Sequence, residues 1–328
     1  VSATTTRHAR RWIGGCAAIF VVAALLLPFV GPSPLDLAAV WSGQEPDRSI
    51  FLQLRLSRTL LGLFGGAALA LAGSLFQSML RDALATPYTL GVSTGASLGA
   101  VVAMAMGWHL VAGVPGIWAG ALAGAAVVLA LVVSASTRHR QVSALGLLLA
   151  GVATNSVCTA MILLIHGLSG VGQSFAIARW LIGSLDAIDY GPLAIYIAAV
   201  LILSLRVVRR AREWNLIAVG EAWAATRGAD VRRLLLGGYL TGSVLAAGTV
   251  ALMGPIGFVG LVVPHIVRTR VSADDRILMP CAFCLGGVLL AACDAIGRVA
   301  LAPAEIPAGA ITAFIGGPYL VWLIRRRI

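Results

Sequence analysis

The sequence predicts an all-α polytopic membrane protein of about ten transmembrane helices, folded as a single domain over residues 1–328. Three observations lead there. Hydrophobic residues make up 59% of the chain and charged residues 11%, against roughly 45–50% and roughly 25% in an ordinary soluble domain. Apolar runs of helix-spanning length recur from one end to the other. The basic residues, all of them arginine, fall unevenly between the loops those runs define.

A bilayer core is crossed by about 20 mostly apolar residues in a helix. Runs bounded by charge or by Pro/Gly clusters lie at 12–30, 59–80, 88–106, 110–133, 141–166, 190–208, 234–253, 255–267, 277–297 and 306–324. The first follows Arg7, Arg10 and Arg11 as a signal peptide would, but it is long and no small-residue cleavage site follows it. It reads as a retained helix. Gly62/Gly66, Gly95/Gly99 and Gly120/Gly124 are G-x-x-x-G pairs, which bring helix backbones together in a compact bundle. The eighth run, within "GPIGFVGLVVPHIVR" (254–268), is too short and too broken to span. Irregular backbone at membrane depth persists only beside protein or a water-filled cavity, so this segment is expected to brace the bundle beside a pathway.

With the N-terminus in the cytoplasm and alternating segments, 19 of the 24 arginines fall inside: Arg7, Arg10, Arg11, Arg81, Arg138, Arg140, Arg206, Arg209, Arg210, Arg212, Arg227, Arg232, Arg233, Arg268, Arg270, Arg276 and 325–327. The outer side keeps Arg48, Arg55, Arg58, Arg179 and Arg298. This bias sets both termini in the cytoplasm. It also accounts for the formal charge of +11 without nucleic acid as a partner.

Several function classes are excluded by what the chain lacks. It has no lysine, so it carries neither a G-x-x-x-x-G-K-[ST] phosphate loop nor a Schiff-base lysine. ATP, if used, binds another chain. Intramembrane Asp, Glu and His are scarce, which argues against an ion-coupled secondary transporter. No Ser/His or multi-His constellation suggests an intramembrane enzyme. Cys16, Cys158, Cys281, Cys284 and Cys293 lie in or beside apolar runs and form no disulfide framework. The Cys281/Cys284 pair has no second pair, and His265 has no neighbour at ligand spacing, so no metal is assigned. One cytoplasmic loop, "RRAREWNLIAVGEAWAATRGADVRR" (209–233), has helix-compatible stretches at 214–219 and 221–227 and breaks at Gly220 and Gly228. It is read as a dock for a soluble partner or as a solvated connector.

The stretch "LRLSRTLLGLFGGAALALAGSLFQSMLRDALATPYTLGVSTGASLGA" (54–100) resembles the first signature of FecCD-type permeases, the membrane subunits of ABC importers for iron chelates, haem and cobalamin. Residues 254–268 resemble the second signature and "EIPAGAITAFIGGPYLVWLIRR" (305–326) the third. The 209–233 loop, with Gly220–Glu221, is similar to the family's coupling loop. The resemblance implies a type II ABC importer permease fold of ten helices, with helices two to five and seven to ten as inverted repeats. It further implies a homodimer in the bacterial cytoplasmic (inner) membrane, two ATPase subunits that bind ATP and Mg, and a periplasmic or lipid-anchored substrate-binding protein. No cofactor is expected in this chain, and membrane lipid surrounds it.

Site residues follow from the same resemblance. Trp214, Leu216, Gly220, Glu221, Ala224 and Gly228 are assigned to ATPase coupling. Asp82 and Leu84, with Gln141, Val142 and Ser143, are assigned to a cytoplasmic gate. The family reads R-N-P-L-A-x-P where this chain has "RDALATP", so Asp82 and Ala83 depart from the pattern while Pro87 keeps it. Arg55, Arg58 and Arg298 match arginines that pair with carboxylates of the binding protein, a task suited to the guanidinium fork. Their alternatives are interfacial snorkelling or a local pair with Asp294 or Glu305. Arg179, before helix six, is either a lure for cargo carboxylates at the pathway mouth or an interface anchor beside Trp180. Met104 and Met106 either line an apolar passage or pack. The expected cargo is haem or a ferric siderophore, with cobalamin as the alternative.

Overall fold

The structure is a computed structural model that describes residues 3–33, 36–111, 113–138 and 141–327. Arg140, one of the arginines counted above, lies outside the described residues, as do the side chains of Arg7, Arg138 and Gln141.

Each predicted apolar run carries one helix, and the connectors add short ones. Helix α1 (Ala3–Leu26) is followed by α2 (Leu37–Ser42) and α3 (Asp47–Ser49). A wide π-helical turn at Ile50–Leu56 leads into α4 (Ser57–Leu80). Helices α5 (Val92–Ala105), α6 (Gly116–Ser136) and α7 (Ala144–Leu168) complete the first half. Helix α8 (Val171–Ile182) leads to α9 (Tyr190–Arg209), and α10 (Ala211–Val219) and α11 (Glu221–Thr226) form the 209–233 loop. The second half is α12 (Val231–Met253), α13 (Val259–Arg270), α14 (Asp275–Ala300) and α15 (Ala308–Arg327). Among the described residues, seven helical segments are long and apolar enough to cross a membrane, and α5 and α15 are shorter apolar helices.

Several helices start away from the expected run boundaries, and in two cases a hairpin is the reason. The run at 110–133 begins its helix only at Gly116, because β1 (Leu110–Val111) and β2 (Val114–Pro115) form a small antiparallel hairpin. The run at 141–166 begins at Ala144, because β3 (Thr137–Arg138) pairs with β4 (Gln141–Val142). In the first case apolar residues continue through the turn, so hydropathy alone does not mark it; in the second the polar stretch TRHRQ (137–141) marks a break between runs but not the strand pairing.

The inverted repeat is visible in the packing. Helix α4 packs on α12, α13 and α14, and α12 packs in return on α4, α5 and α6. The two halves also break in the same way. Helix α4 ends at Arg81 (φ 55°) and α12 at Gly254 (φ 70°). After irregular backbone, α5 is entered through Gly91 (φ 79°) and α13 through Phe258 (φ 68°). A left-handed residue ends one helix and another opens the next, so each short helix is re-aimed against the bundle. For Phe258 this conformation is unusual; its ring lies where a side chain on Gly316 of α15 would stand.

Close helix approach depends on the glycine pairs. A Cβ on Gly99 would run into the Gly120 carbonyl, and one on Gly124 into the Gly95 carbonyl, so the two G-x-x-x-G pairs of α5 and α6 face each other. Gly66 meets Gly286 of α14 in the same manner. Helix α4 is thereby the central element, buried at almost every position from Leu61 to Met79. The outer helices leave broad apolar faces exposed: Leu145, Leu149, Leu163 and Leu164 on α7, and Ile195 and Ile202 on α9. Faces of this breadth suit a lipid solvent, not water.

Candidate functional site

The 209–233 loop folds into the two helices read from its sequence. Gly220 joins them, and Gly228 (φ 82°) ends the second in a left-handed turn. Trp214 is buried; its indole N–H donates to the Val207 carbonyl at 3.1 Å, and its ring lies against Gly238. Ala224 is also buried and Leu216 half-buried. Trp214 and Ala224 therefore hold α10 and α11 on the bundle, and the face turned outward is made of other residues. Val219 and Trp223 are exposed there, with the Arg227 guanidinium 4.6 Å above the Trp223 ring.

Glu221 points into the chain. Its Oε1 accepts a hydrogen bond from the Ala144 backbone N–H at 3.2 Å, at the first turn of α7. The same oxygen is 4.0 Å from the Arg81 guanidinium, at the end of α4. A carboxylate at a helix N-terminus is favoured by the exposed N–H groups and the helix dipole. Through one side chain the loop touches both segments assigned to the gate. In the first, Asp82 Oδ1 accepts from the Leu84 N–H at 2.9 Å, an Asx-type turn that asparagine would also make. The Asn-to-Asp departure thus keeps the local fold. Leu84 is exposed beyond that turn. In the second, Val142 is buried and Ser143 caps α7 by accepting from the Gly146 N–H at 3.1 Å.

A second contact sits at the other end of the loop. The Asn215 amide donates to Asp274 Oδ1 at 2.8 Å and accepts from the Asp275 N–H at 2.9 Å, at the start of α14. Asp274 caps that helix by accepting from the Arg276 N–H. The Arg276 guanidinium, with help from this N–H and the Asn215 amide, holds the Asp274 carboxyl down at about 2. Sequence reasoning missed Asn215, Asp274 and Trp223. The cap signal of an aspartate before an apolar run was readable, but its partner 59 residues away was not.

The three arginines assigned to binding-protein docking, Arg55, Arg58 and Arg298, turn into the bundle. Arg58 grips Asp294 with Nε and NH2, at 3.0 and 2.9 Å to Oδ1, and reaches Glu305 Oε2 with NH1 at 2.9 Å. Arg298 lies 3.2 Å from Asp294 on the next turn of α14. Arg55 donates to the backbone carbonyls of Phe29 and Ser33. Arg55 and Arg298 are only 5% and 4% exposed, so neither is displayed to a partner in this conformation. The local pairs with Asp294 and Glu305 are the contacts formed, and Glu305 is the half-exposed edge of the cluster.

The remaining candidates are dispersed. Arg179 is exposed on α8. Met104 packs against Val101, Ile162 and Ile177, while Met106 is exposed at the end of α5. His265 lies against the Tyr319 ring, with centroids 6.3 Å apart. Among the described residues no three His, Cys, Asp or Glu converge as a metal site.

A helical membrane bundle with two broken, inverted halves and a paired-helix loop has the architecture of a membrane permease. The chain belongs to the FecCD transport family, whose model matches residues 17–326. It is 34% identical over 322 residues to the hemin transport system permease protein HmuU of Yersinia pestis, covering 97% of this chain and 96% of that one. It is also 34% identical over 326 residues to the vitamin B12 import system permease protein BtuC of Klebsiella pneumoniae, covering 98% and 95%. Among solved structures it resembles a metal-chelate type ABC transporter in an inward-facing conformation. The TM-score is 0.85 at 28% identity, over 96% of this chain and 98% of the other. PsaBC from Streptococcus pneumoniae shares the fold, with a TM-score of 0.54 at 14% identity. The family is the membrane component of ABC importers, distinct from the ATPase.

Proposed function

We propose that this permease carries a bulky iron chelate, haem or a ferric siderophore, inward across the bacterial cytoplasmic membrane by alternating access. It acts as a homodimer with two ATPase subunits on the cytoplasmic face and a substrate-binding protein outside. The observation that carries the reading is Glu221: the loop that would meet an ATPase is bonded to the N-terminus of α7 and lies beside the end of α4. A displacement of α10 and α11 therefore reaches both gate segments, biasing them between two arrangements. Val219, Trp223 and Arg227 form the surface offered to the ATPase, while Trp214 and Ala224 keep that surface rigid.

Docking of the binding protein centres on Arg58. A partner carboxylate reaches this cluster by displacing Glu305, its exposed member, with Asp294 and Arg298 fixing the guanidinium behind it. Cargo is the finest level of the proposal. Haem and vitamin B12 permeases are equally similar by identity, so the preference for haem rests on Arg179, an exposed cation suited to propionates. Cobalamin is the alternative.

Copurification with its ATPase, followed by uptake of haem, ferric siderophores and cobalamin into proteoliposomes, tests this. Haem or siderophore uptake that falls in Arg179→Ala supports the ranking. Transport of cobalamin alone overturns it.

A further inference from the structure

Glu221 is not the only place where the cytoplasmic loop is fastened to a moving part. Asn215, on α10, bonds the first turn of α14 with both ends of its amide, to the Asp274 carboxylate and the Asp275 N–H. An amide that donates and accepts at once fixes orientation as well as distance. The contact does not end there. The buried Asp275 carboxylate accepts from Ser78 Oγ at 2.9 Å, two residues before the end of α4. The Arg268 guanidinium, in the last turn of α13, approaches the same hydroxyl at 3.5 Å. Three helices of the bundle thus meet at a node to which α10 is tied by one side chain. Glu221 ties α11 to α7 and approaches the end of α4 from the other side.

We infer that Asn215 is a positioning residue for energy coupling, the point at which motion of the loop is passed to α14 and on to the cytoplasmic ends of α4 and α13. This rests on the permease reading above and adds a second transmission point to it, in the half of the bundle that Glu221 does not reach. The chemistry suits the task. Asp274 is already committed to capping α14 and to Arg276, so it is held rigidly, and a rigid acceptor passes displacement on instead of absorbing it. Asparagine is neutral, so it makes the contact without placing a further charge beside Asp274 and Asp275. Aspartate at the same position would lack the donor and set carboxylate against carboxylate.

The test uses the complete complex, with its ATPase and binding-protein subunits, in proteoliposomes. The cargo is haem, a ferric hydroxamate or cobalamin, whichever the wild-type complex moves. The readout is cargo transported per ATP hydrolysed, a ratio that simple loss of protein does not change. Asn215→Asp is expected to lower this ratio by about tenfold, the size of one lost charge-assisted hydrogen bond, with the ATPase still bound. Asn215→Ala carries the same expectation, to a smaller extent, should the aspartate variant fail to insert. The exchange variant Asn215→Asp with Asp274→Asn returns a donor to the pair and keeps a helix cap, so it is expected to recover part of the ratio. An unchanged ratio in both single variants overturns the inference. So does an exchange variant that assembles but couples no better than Asn215→Asp. Absence of ATP-driven uptake in the wild-type complex itself would instead overturn the permease reading on which it rests.

Discussion

Replacing Glu221 has an effect whose size and order can be worked from its contacts. The hydrogen bond from the Ala144 N–H to a carboxylate is charge-assisted, a class contributing about 1.5–3 kcal/mol. At 3.2 Å, with the carboxylate partly exposed, the lower end applies. The Arg81 pair, at 4.0 Å and with the arginine 46% exposed, adds only about 0.5 kcal/mol after solvent screening. Together these give about 2 kcal/mol of linkage between loop and gate, or roughly 30-fold in the equilibrium that coupling exploits. Glu221→Gln keeps an acceptor and loses the charge, so about 1 kcal/mol and roughly fivefold are expected. Glu221→Ala should lose the whole linkage. Glu221→Arg should be worse again, since a cation then faces the positive end of α7 and Arg81. The assay is uptake per ATP hydrolysed in proteoliposomes, with copurification of the ATPase as the control for assembly. The decisive feature is the order: Gln above Ala above Arg. Three equivalent variants, or an arginine as effective as the glutamine, would refute the linkage.

Other consequences follow from the same geometry. Arg58→Ala leaves Asp294 with only the Arg298 contact and should destabilise the protein by about 3 kcal/mol, read as a lower unfolding temperature in detergent; an unchanged value would show that the cluster is not structural. Arg58→Glu, where it folds, should weaken docking of the binding protein most strongly at low salt, and salt-independent docking would remove Arg58 from that interface. Gly99→Leu should prevent close approach of α5 and α6, because the new side chain meets the Gly120 carbonyl; normal yield and stability would contradict the packing. Asp274 supplies a pH test. Its carboxyl is held at about 2 against an ordinary 3.8, so its stabilising contribution is complete above about pH 4–5 and is lost as pH falls through about 2. Wild type and Asp274→Asn should therefore differ in stability at neutral pH and converge in strong acid, as Asp274 takes up its proton. A difference that varies between pH 6 and about 8 would implicate another group.

Sequence and structure agree where length and chemistry act locally. The apolar runs are legible because a bilayer imposes a minimum helix length on each, and the broken segment before α13 because glycine and proline at membrane depth are costly without neighbours. Gly220 and Gly228 mark the ends of the loop helices for the same local reason. The pairing of Leu110–Val111 with Val114–Pro115 was hidden because Leu110, Val111 and Val114 continue the apolar run, and only the positive φ of Gly113 marks the turn; that of Thr137–Arg138 with Gln141–Val142 lies in a polar stretch that reads as a plain connector. Side-chain direction was the other loss. Hydropathy does not say that Glu221 and Arg58 point inward, where their partners lie 77 and 236 residues away. The Arg298–Asp294 pair was readable, being one helical turn apart. Asn215 was not, because nothing local distinguishes it from any solvated asparagine.

The central claim is that transport through this chain is driven by an ATPase acting on the 209–233 loop. Its most direct test is uptake by proteoliposomes holding the permease with and without ATPase subunits, with cargo-loaded binding protein outside, ATP inside and ion gradients collapsed. Uptake is expected only when the ATPase and ATP are both present, and is expected to be lost in a permease whose α10–α11 loop is disrupted. Accumulation by the permease alone under an ion gradient, indifferent to ATP and to that loop, would contradict it.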